Sequence, residues 1–494
     1  MKRLFNFLLV CGFFVLLIGC SGKKNNVTLT ATPNLTPVPT TVAEFIGLAT
    51  DEYDRKNYVN ALEWYKKAAQ IEPHNSLVRE GMAKTYFAKR KYSDAVEEYQ
   101  LAIDEKPANA SELSNKLGTI FSLTGQWEKA RDAYMNALEL GWVDKNIYLE
   151  LGKAQIWVSN FPEAKNAIGK ALEQDQNSIE GRFLFSAVGC LDNLEFARID
   201  MQKVKESTPA SDDEKQIVAD SATLLEYIHE AQLPSQKDWA GVYLAKGFTT
   251  IGYPTLAVAE VKPVIEKNPD YPQAHLLLGR ANYLLQRYDD AEVSYQRFFQ
   301  LYGKDDLVGW YYSGENYYSW GRFDQAVTAF SNALKVQDQT YAGVLHYKLG
   351  LTNEAQKNYT GALTSYQASV NADLKQRKAW LRIIGLQLGE VKDVDQAIVA
   401  AGKAVEQFPD DAEVVTNLGW AYLEKGNYDQ SITVLEKAEK LDPDFAPIYF
   451  NLGRIRSLQG DQQAAREFYI RAVNLDTTGG ISKRVEDELN GVQQ

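Results

Sequence analysis

Cysteine is scarce: three residues in 494. Cys11 and Cys20 both fall in the first twenty positions, so Cys190 is the one thiol far inside the chain, and an internal disulfide framework is excluded. The four histidines, His74, His229, His275 and His346, are scattered. No Cys/His pair has zinc-ligand spacing, which leaves no basis for a metal or other cofactor. Positive charge is also short, with 53 Lys and Arg against 65 Asp and Glu and a net charge of −12. A surface of that sign repels phosphate backbones, so nucleic acid is a poor partner. No segment combines a strand with a glycine-rich phosphate loop, and none carries a nucleophile beside a base. Aromatic residues, by contrast, make up 12% of the chain, with 28 Tyr and 20 Phe, and a disordered chain would be poor in them.

The first residues set the expected compartment. Met1, Lys2 and Arg3 precede an apolar run from Leu4 to Ile18, broken by Asn6, Cys11 and Gly12. The run is short for a bilayer span and suits a secretory leader. It ends Leu17, Ile18, Gly19, Cys20, which resembles the lipobox of bacterial lipoproteins. The resemblance implies removal of residues 1–19, acylation of Cys20, and attachment to the cell envelope on the outer side of a membrane. Between Ser21 and Thr41 the chain alternates Thr and Pro (Thr32, Pro33, Thr36, Pro37, Pro39, Thr40). Such composition keeps the backbone extended and buries little, so residues 20–41 read as a tether.

From Val42 onward the chain repeats itself every 34 residues or so. Units begin at Val42, Ser76, Ser111 and Lys145, and again at Asp238, Pro272, Leu307, Gly343, Lys378, Ala412 and Ala446. Position eight of these units is always Gly or Ala (Gly118, Gly152, Gly279, Gly314, Gly350, Gly385, Gly419 and Gly453 among them), and position twenty is Ala or Ser. Glycine inside a helix costs about 1 kcal/mol relative to alanine, so its recurrence requires a close backbone approach. Small residues at the two positions are expected to face one another and let paired helices nest. Gly125, Gly252, Gly321, Gly426 and Gly460 fall where a first helix should stop in a left-handed turn. Pro73, Pro107, Pro269, Pro409 and Pro443 follow the second helices.

This pattern resembles the tetratricopeptide repeat family, which implies an all-α fold: an α-solenoid of antiparallel helix pairs. The expected organisation is five N-terminal units over residues 42–209, the last one degenerate, then a spacer over 210–237, seven units over 238–479, and a capping helix over 480–494. Ile217, Ala222, Leu224 and Ile228 place an amphipathic helix in the spacer, as a hinge or as a degenerate repeat.

In that family the first helices line the inner surface at positions two, five, nine, twelve and thirteen. Carried onto this chain, those positions give Trp239, Lys246, Arg280, Tyr283, Tyr311, Glu315, Tyr318, Tyr347, Arg382, Trp420, Phe450 and Arg454. Aromatic and Arg side chains are the usual anchors of protein interfaces. Position nine carries no Asn, so the family's Lys/Asn carboxylate clamp is absent. With leader, tether, repeats and cap assigned, no segment remains for a catalytic domain. The expected function is a non-enzymatic scaffold that binds a protein or peptide in the groove. The alternative is a solenoid that binds a glycan or cell-wall polymer on the same tyrosines. His275 and His346 occupy packing positions and read as structural, and Cys190 as a small core residue.

Overall fold

The structure is a computed structural model that describes residues 40–491, except 145, 234, 236–238, 337, 338, 477 and 478. Cys20 and the tether up to residue 39 therefore lie outside the described residues, and Thr41, expected at the tether's end, is the N-cap of the first helix. Among those residues the regular structure is helical throughout, with no strand. Two compact units emerge, one ending at Pro107 and the other beginning at Ala108.

The first unit holds two helix pairs: α1 (Val42–Asp54) with α2 (Tyr58–Ile71), and α3 (Ser76–Ala88) with α4 (Tyr92–Asp104). Thr41 and Glu44 close a capping box at the start of α1, each satisfying the other's free backbone N–H. Tyr65 sits beneath Gly81, where any Cβ would strike its ring. Arg79 joins Glu98 at 2.9 Å, and His74 contacts Glu105 at 2.7 Å.

The second unit begins with α5 (Ala110–Leu123) and α6 (Trp127–Glu139), α7 (Ile147–Trp157) and α8 (Phe161–Gln174), then α9 (Ile179–Gly189) and α10 (Leu194–Lys205). A single long helix, α11 (Asp212–Gln232), follows. Pairing resumes with α12 (Ala240–Thr250) and α13 (Pro254–Lys267), α14 (Pro272–Leu284) and α15 (Tyr288–Tyr302), α16 (Leu307–Ser319) and α17 (Phe323–Lys335). Next come α18 (Ala342–Ala355) and α19 (Tyr359–Ala372), α20 (Arg377–Gly389) and α21 (Val394–Gln407), α22 (Ala412–Glu424) and α23 (Tyr428–Leu441), and α24 (Ala446–Leu458) and α25 (Gln462–Leu475). The last helix is α26 (Gly480–Gly491).

One packing rule joins the partners of each pair. In seven pairs a position-eight glycine lies against the large side chain at position twenty-four, Gly152 against Ile168 among them. A Cβ on Gly118 would come within 2.5 Å of the Tyr134 ring, one on Gly279 within 2.5 Å of Tyr295, and one on Gly314 within 2.5 Å of Phe330; Tyr366, Leu435 and Tyr469 stand likewise over Gly350, Gly419 and Gly453. The expected meeting of two small residues is therefore only part of the contact. Ser431 at position twenty does reach its glycine, donating a hydrogen bond from Oγ to the Gly419 carbonyl at 2.7 Å. A buried side chain, a ring in most pairs and Leu435 in this one, nonetheless fills most of the space that the missing Cβ leaves. Gly385 departs from the rule: Ala401 stands at position twenty-four, and nothing lies within 4 Å of a Cβ built there.

The turn between paired helices is equally regular. Position fifteen takes positive φ at Gly125, Gly252, Gly321, Gly426 and Gly460, where the sequence predicted it. Lys56, Arg90, Ser159, Gln286, Lys357 and Lys392 adopt the same conformation at the same position without being glycine. A non-glycine residue there costs roughly 1–2 kcal/mol of strain, so the neighbouring helix contacts must enforce the turn.

The spacer helix does not interrupt the core. Leu224, Ile228 and Ala231 of α11 belong to one apolar cluster that runs from Leu149 in α7 to Ala281 in α14 and includes Cys190. At the chain's end Ile481 and Val485 of α26 enter the core of the last repeat.

Candidate functional site

The first helices of the second unit lie side by side from α14 to α26, and side chains thirty or so residues apart meet between them. Arg280 of α14 stacks its guanidinium on the ring of Tyr312 in α16, 4.7 Å from the centroid, and on Tyr283 at 5.0 Å. The Tyr283 hydroxyl is 3.4 Å from Ser319 Oγ. Glu315 of α16 pairs with Lys348 of α18 at 2.9 Å. Burial works against the charge on Lys348, but the Glu315 carboxylate outweighs it and holds the ammonium above its ordinary pKa. Tyr311 is half-buried against Phe330, and burial raises its phenol. Tyr318 leans on Phe323 and Tyr347 on Tyr366. Glu354 of α18 then links to Arg382 of α20 at 3.2 Å while accepting the Tyr366 hydroxyl at 2.7 Å. Seven of the residues expected on the inner surface (Arg280, Tyr283, Tyr311, Glu315, Tyr318, Tyr347 and Arg382) thus lie on one run of four first helices.

Farther along, three more gather around a cavity of about 560 Å3. Trp420 and Glu424 come from α22, Phe450 and Arg454 from α24, and Arg484, Asp487 and Glu488 from α26. The Trp420 indole N–H donates to Glu424 at 2.8 Å. Arg454 is held between Glu424 at 2.6 Å and Glu488 at 2.9 Å. Burial opposes its charge, yet those two carboxylates keep its pKa above the ordinary value. Arg484 lies over the Phe450 ring at 4.2 Å, and burial with the nearby Arg454 lowers its pKa.

Two expected residues behave differently. Trp239 stands at the N-cap position of α12 and stacks on Tyr271 at 4.1 Å against the core. Phe450 is only 2% exposed, because Arg484 and Tyr469 cover it, so it forms a floor and not a projecting anchor. Lys246 is exposed, with its ammonium over Tyr227 of α11 at 5.7 Å. The histidines are ordinary: the His275 ring bonds the Pro269 carbonyl at 2.7 Å, and burial lowers the pKa of His346. Cys190 is buried, and burial pushes its thiol far up.

Sequence reasoning missed Tyr312, Lys348, Glu354, Glu424, Arg484 and Glu488, which answer the expected residues from the neighbouring first helix. Lys348 and Tyr312 share position six, one place beyond the positions read as inward. Glu354 and Glu424 stand at positions twelve and thirteen, within the inward pattern, and could have been read from it; for the others the available signal was charge complementarity across a full repeat, for example Lys348 against Glu315.

Comparison with known proteins agrees with this architecture. Tetratricopeptide repeat models match residues 52–118, 252–303, 313–378 and 400–433, and further repeat models match 419–460 and 446–478, together just over half of the chain. Among solved structures, the chain is similar to yeast Tom70, at 14% identity over 92% of this chain and 96% of that one, with a TM-score of 0.36. It is similar to the Cut9–Hcn1 hetero-tetramer of the APC/C at 13% identity over 91% and 96%, TM-score 0.35. It is also similar to YrrB, described as a tetratricopeptide protein with an unusual peptide-binding site, at 21% identity over 38% and 95%, TM-score 0.32. With its repeat spacing, its glycine-on-ring packing and the family models that match over half of it, the chain is a member of the tetratricopeptide repeat family.

Proposed function

We propose that the first-helix wall from α14 to α26 binds protein or peptide partners, and that the chain is a non-enzymatic scaffold. The observation that carries this reading is the cavity around Trp420 and Arg454. Three successive first helices contribute an indole, a buried ring, two guanidinium groups and three carboxylates around one opening of about 560 Å3. Aromatic and Arg side chains with a polar rim form the composition that protein interfaces favour. The stacked Arg280, Tyr283 and Tyr312 extend the same chemistry toward the N-terminal side. The fixed ion pairs along the wall hold their side chains in place before a partner arrives, which reduces the entropy lost on binding.

The finer part of the proposal concerns location. Lipid on Cys20 would hold the repeats at the envelope through the Thr/Pro tether, serving an envelope, secretion or surface-polymer assembly. The lipobox-like residues Leu17 to Cys20 support that placement.

Crosslinking in the native cell, followed by capture of the full chain and mass spectrometry, tests the wall. A specific partner is expected with the native chain. It should be lost with Trp420→Ala plus Arg454→Ala, or with Tyr311→Ala plus Tyr347→Ala, while thermal melting stays cooperative. Retention of the partner by both double variants would refute the wall as its binding surface.

A further inference from the structure

A second cavity, of about 340 Å3, opens between α15 and α16. It uses Glu292, Gln296, Phe299 and Gln300 of α15 against Trp310, Ser313 and Tyr317 of α16. At about 100° per residue, the α16 side of this cavity lies roughly 130° round the helix from Tyr311, Glu315 and Tyr318. It is therefore separate from the proposed protein-binding wall, and the inference goes beyond that reading.

We propose that this cavity is a binding site for a neutral pyranose sugar of an oligosaccharide. Its aromatic side is preorganised: Phe299 and Trp310 stack with centroids 4.2 Å apart, and the Trp310 indole N–H is fixed to the Lys304 carbonyl at 2.7 Å. Such a surface matches the apolar C–H face of a pyranose. Its polar side offers both donors and acceptors. Glu292 Oε1 accepts the Tyr317 hydroxyl at 2.5 Å and the Gln296 amide at 2.6 Å, which orients the Gln296 oxygen and leaves Glu292 Oε2 as acceptors. Gln300 accepts from Arg297 at 3.4 Å, so its amide N–H groups remain as donors, and the exposed Lys304 also lines the cavity. Sugar hydroxyls donate and accept at once and need this mixture. Glu292 and Lys304 cancel in charge, which selects a neutral ligand over an anionic or cationic one. Tyr295 also lines the cavity. A volume of about 340 Å3 lies at the small end of ligand sites, suited to one or two sugar rings.

Isothermal titration of the full chain with cellohexaose and with chitohexaose tests the site. Saturable binding of at least one probe is expected, weakened at least tenfold by Trp310→Ala and severalfold by Gln300→Ala, and kept by Trp310→Phe. Gln300 is exposed, so its variant reports on the site even if Trp310→Ala fails to fold. Trp420→Ala, on the wall, should leave sugar binding unchanged. The proposal is overturned if neither probe binds, or if binding persists undiminished in Gln300→Ala, or if Trp420→Ala abolishes it.

Discussion

At the scale of single residues, Glu260 in α13 stands out. Its carboxyl has a buried oxygen without a hydrogen-bond partner, and burial pushes its pKa up to about 8 from an ordinary 4.5. The folded chain therefore binds a proton more tightly than the unfolded one at this site. Its cost to stability is absent below about pH 4.5, grows as pH rises, and is complete above about 8. Glu260→Gln removes the ionisation. At pH 8.5 the variant should be about 2–4 kcal/mol more stable than the native chain, by chemical denaturation followed through circular dichroism, with the two converging toward pH 5. An equal difference at both pH values would show that Glu260 is not held neutral by the fold. No periodicity in the sequence marks this residue. The acid occupies a position where most other repeats place Ala, Ser or an apolar residue; the one other acid there, Glu98, is paired with Arg79, whereas the packing of α13 removes Glu260 from water without such a partner.

Helix pairs obey the glycine-on-ring contact, and that contact yields opposite outcomes for one substitution. Gly314→Ala would drive a Cβ to within 2.5 Å of Phe330, a side chain that is itself fully buried. Overpacking of this kind costs roughly 1–3 kcal/mol. Gly385→Ala meets open space, since Ala401 replaces the ring, and restores helix propensity worth up to about 1 kcal/mol. Thermal melting should therefore place Gly314→Ala below the native chain and Gly385→Ala at or above it. The reverse order would dismiss the ring as the reason for the glycine. The sequence showed that position eight must be small. It did not show what stands over it, because the partner lies sixteen residues later on another helix, and several residue types fill the same space. The helix ends were more legible: positive φ at Gly125 or Gly426 follows from local backbone sterics alone.

For the whole molecule, the proposal joins the wall from α14 to α26 and an anchor at Cys20 into one device, a partner-binding surface on a tether. Cys20→Ser should shift the protein from the membrane fraction to the soluble fraction on ultracentrifugation, and its mass should no longer include acyl chains. A native chain that stays soluble and unacylated would remove the envelope from the functional reading and leave the wall intact.

Sequence alone determined that the chain forms paired helices, where each first helix turns, and which faces are apolar, because these follow from propensity, glycine and proline within one repeat. It also placed most of the wall's residues, through the family's positional pattern. Tertiary structure alone decided which of them meet. Arg280 on Tyr312, Glu315 with Lys348, and Arg454 between Glu424 and Glu488 each join first helices about one repeat apart. Each of these contacts occurs once, so no period in the sequence records it. The cavity between α15 and α16 escaped for the same reason: it arises from how two neighbouring helices stand apart, a spacing set by their side chains together and by neither helix alone.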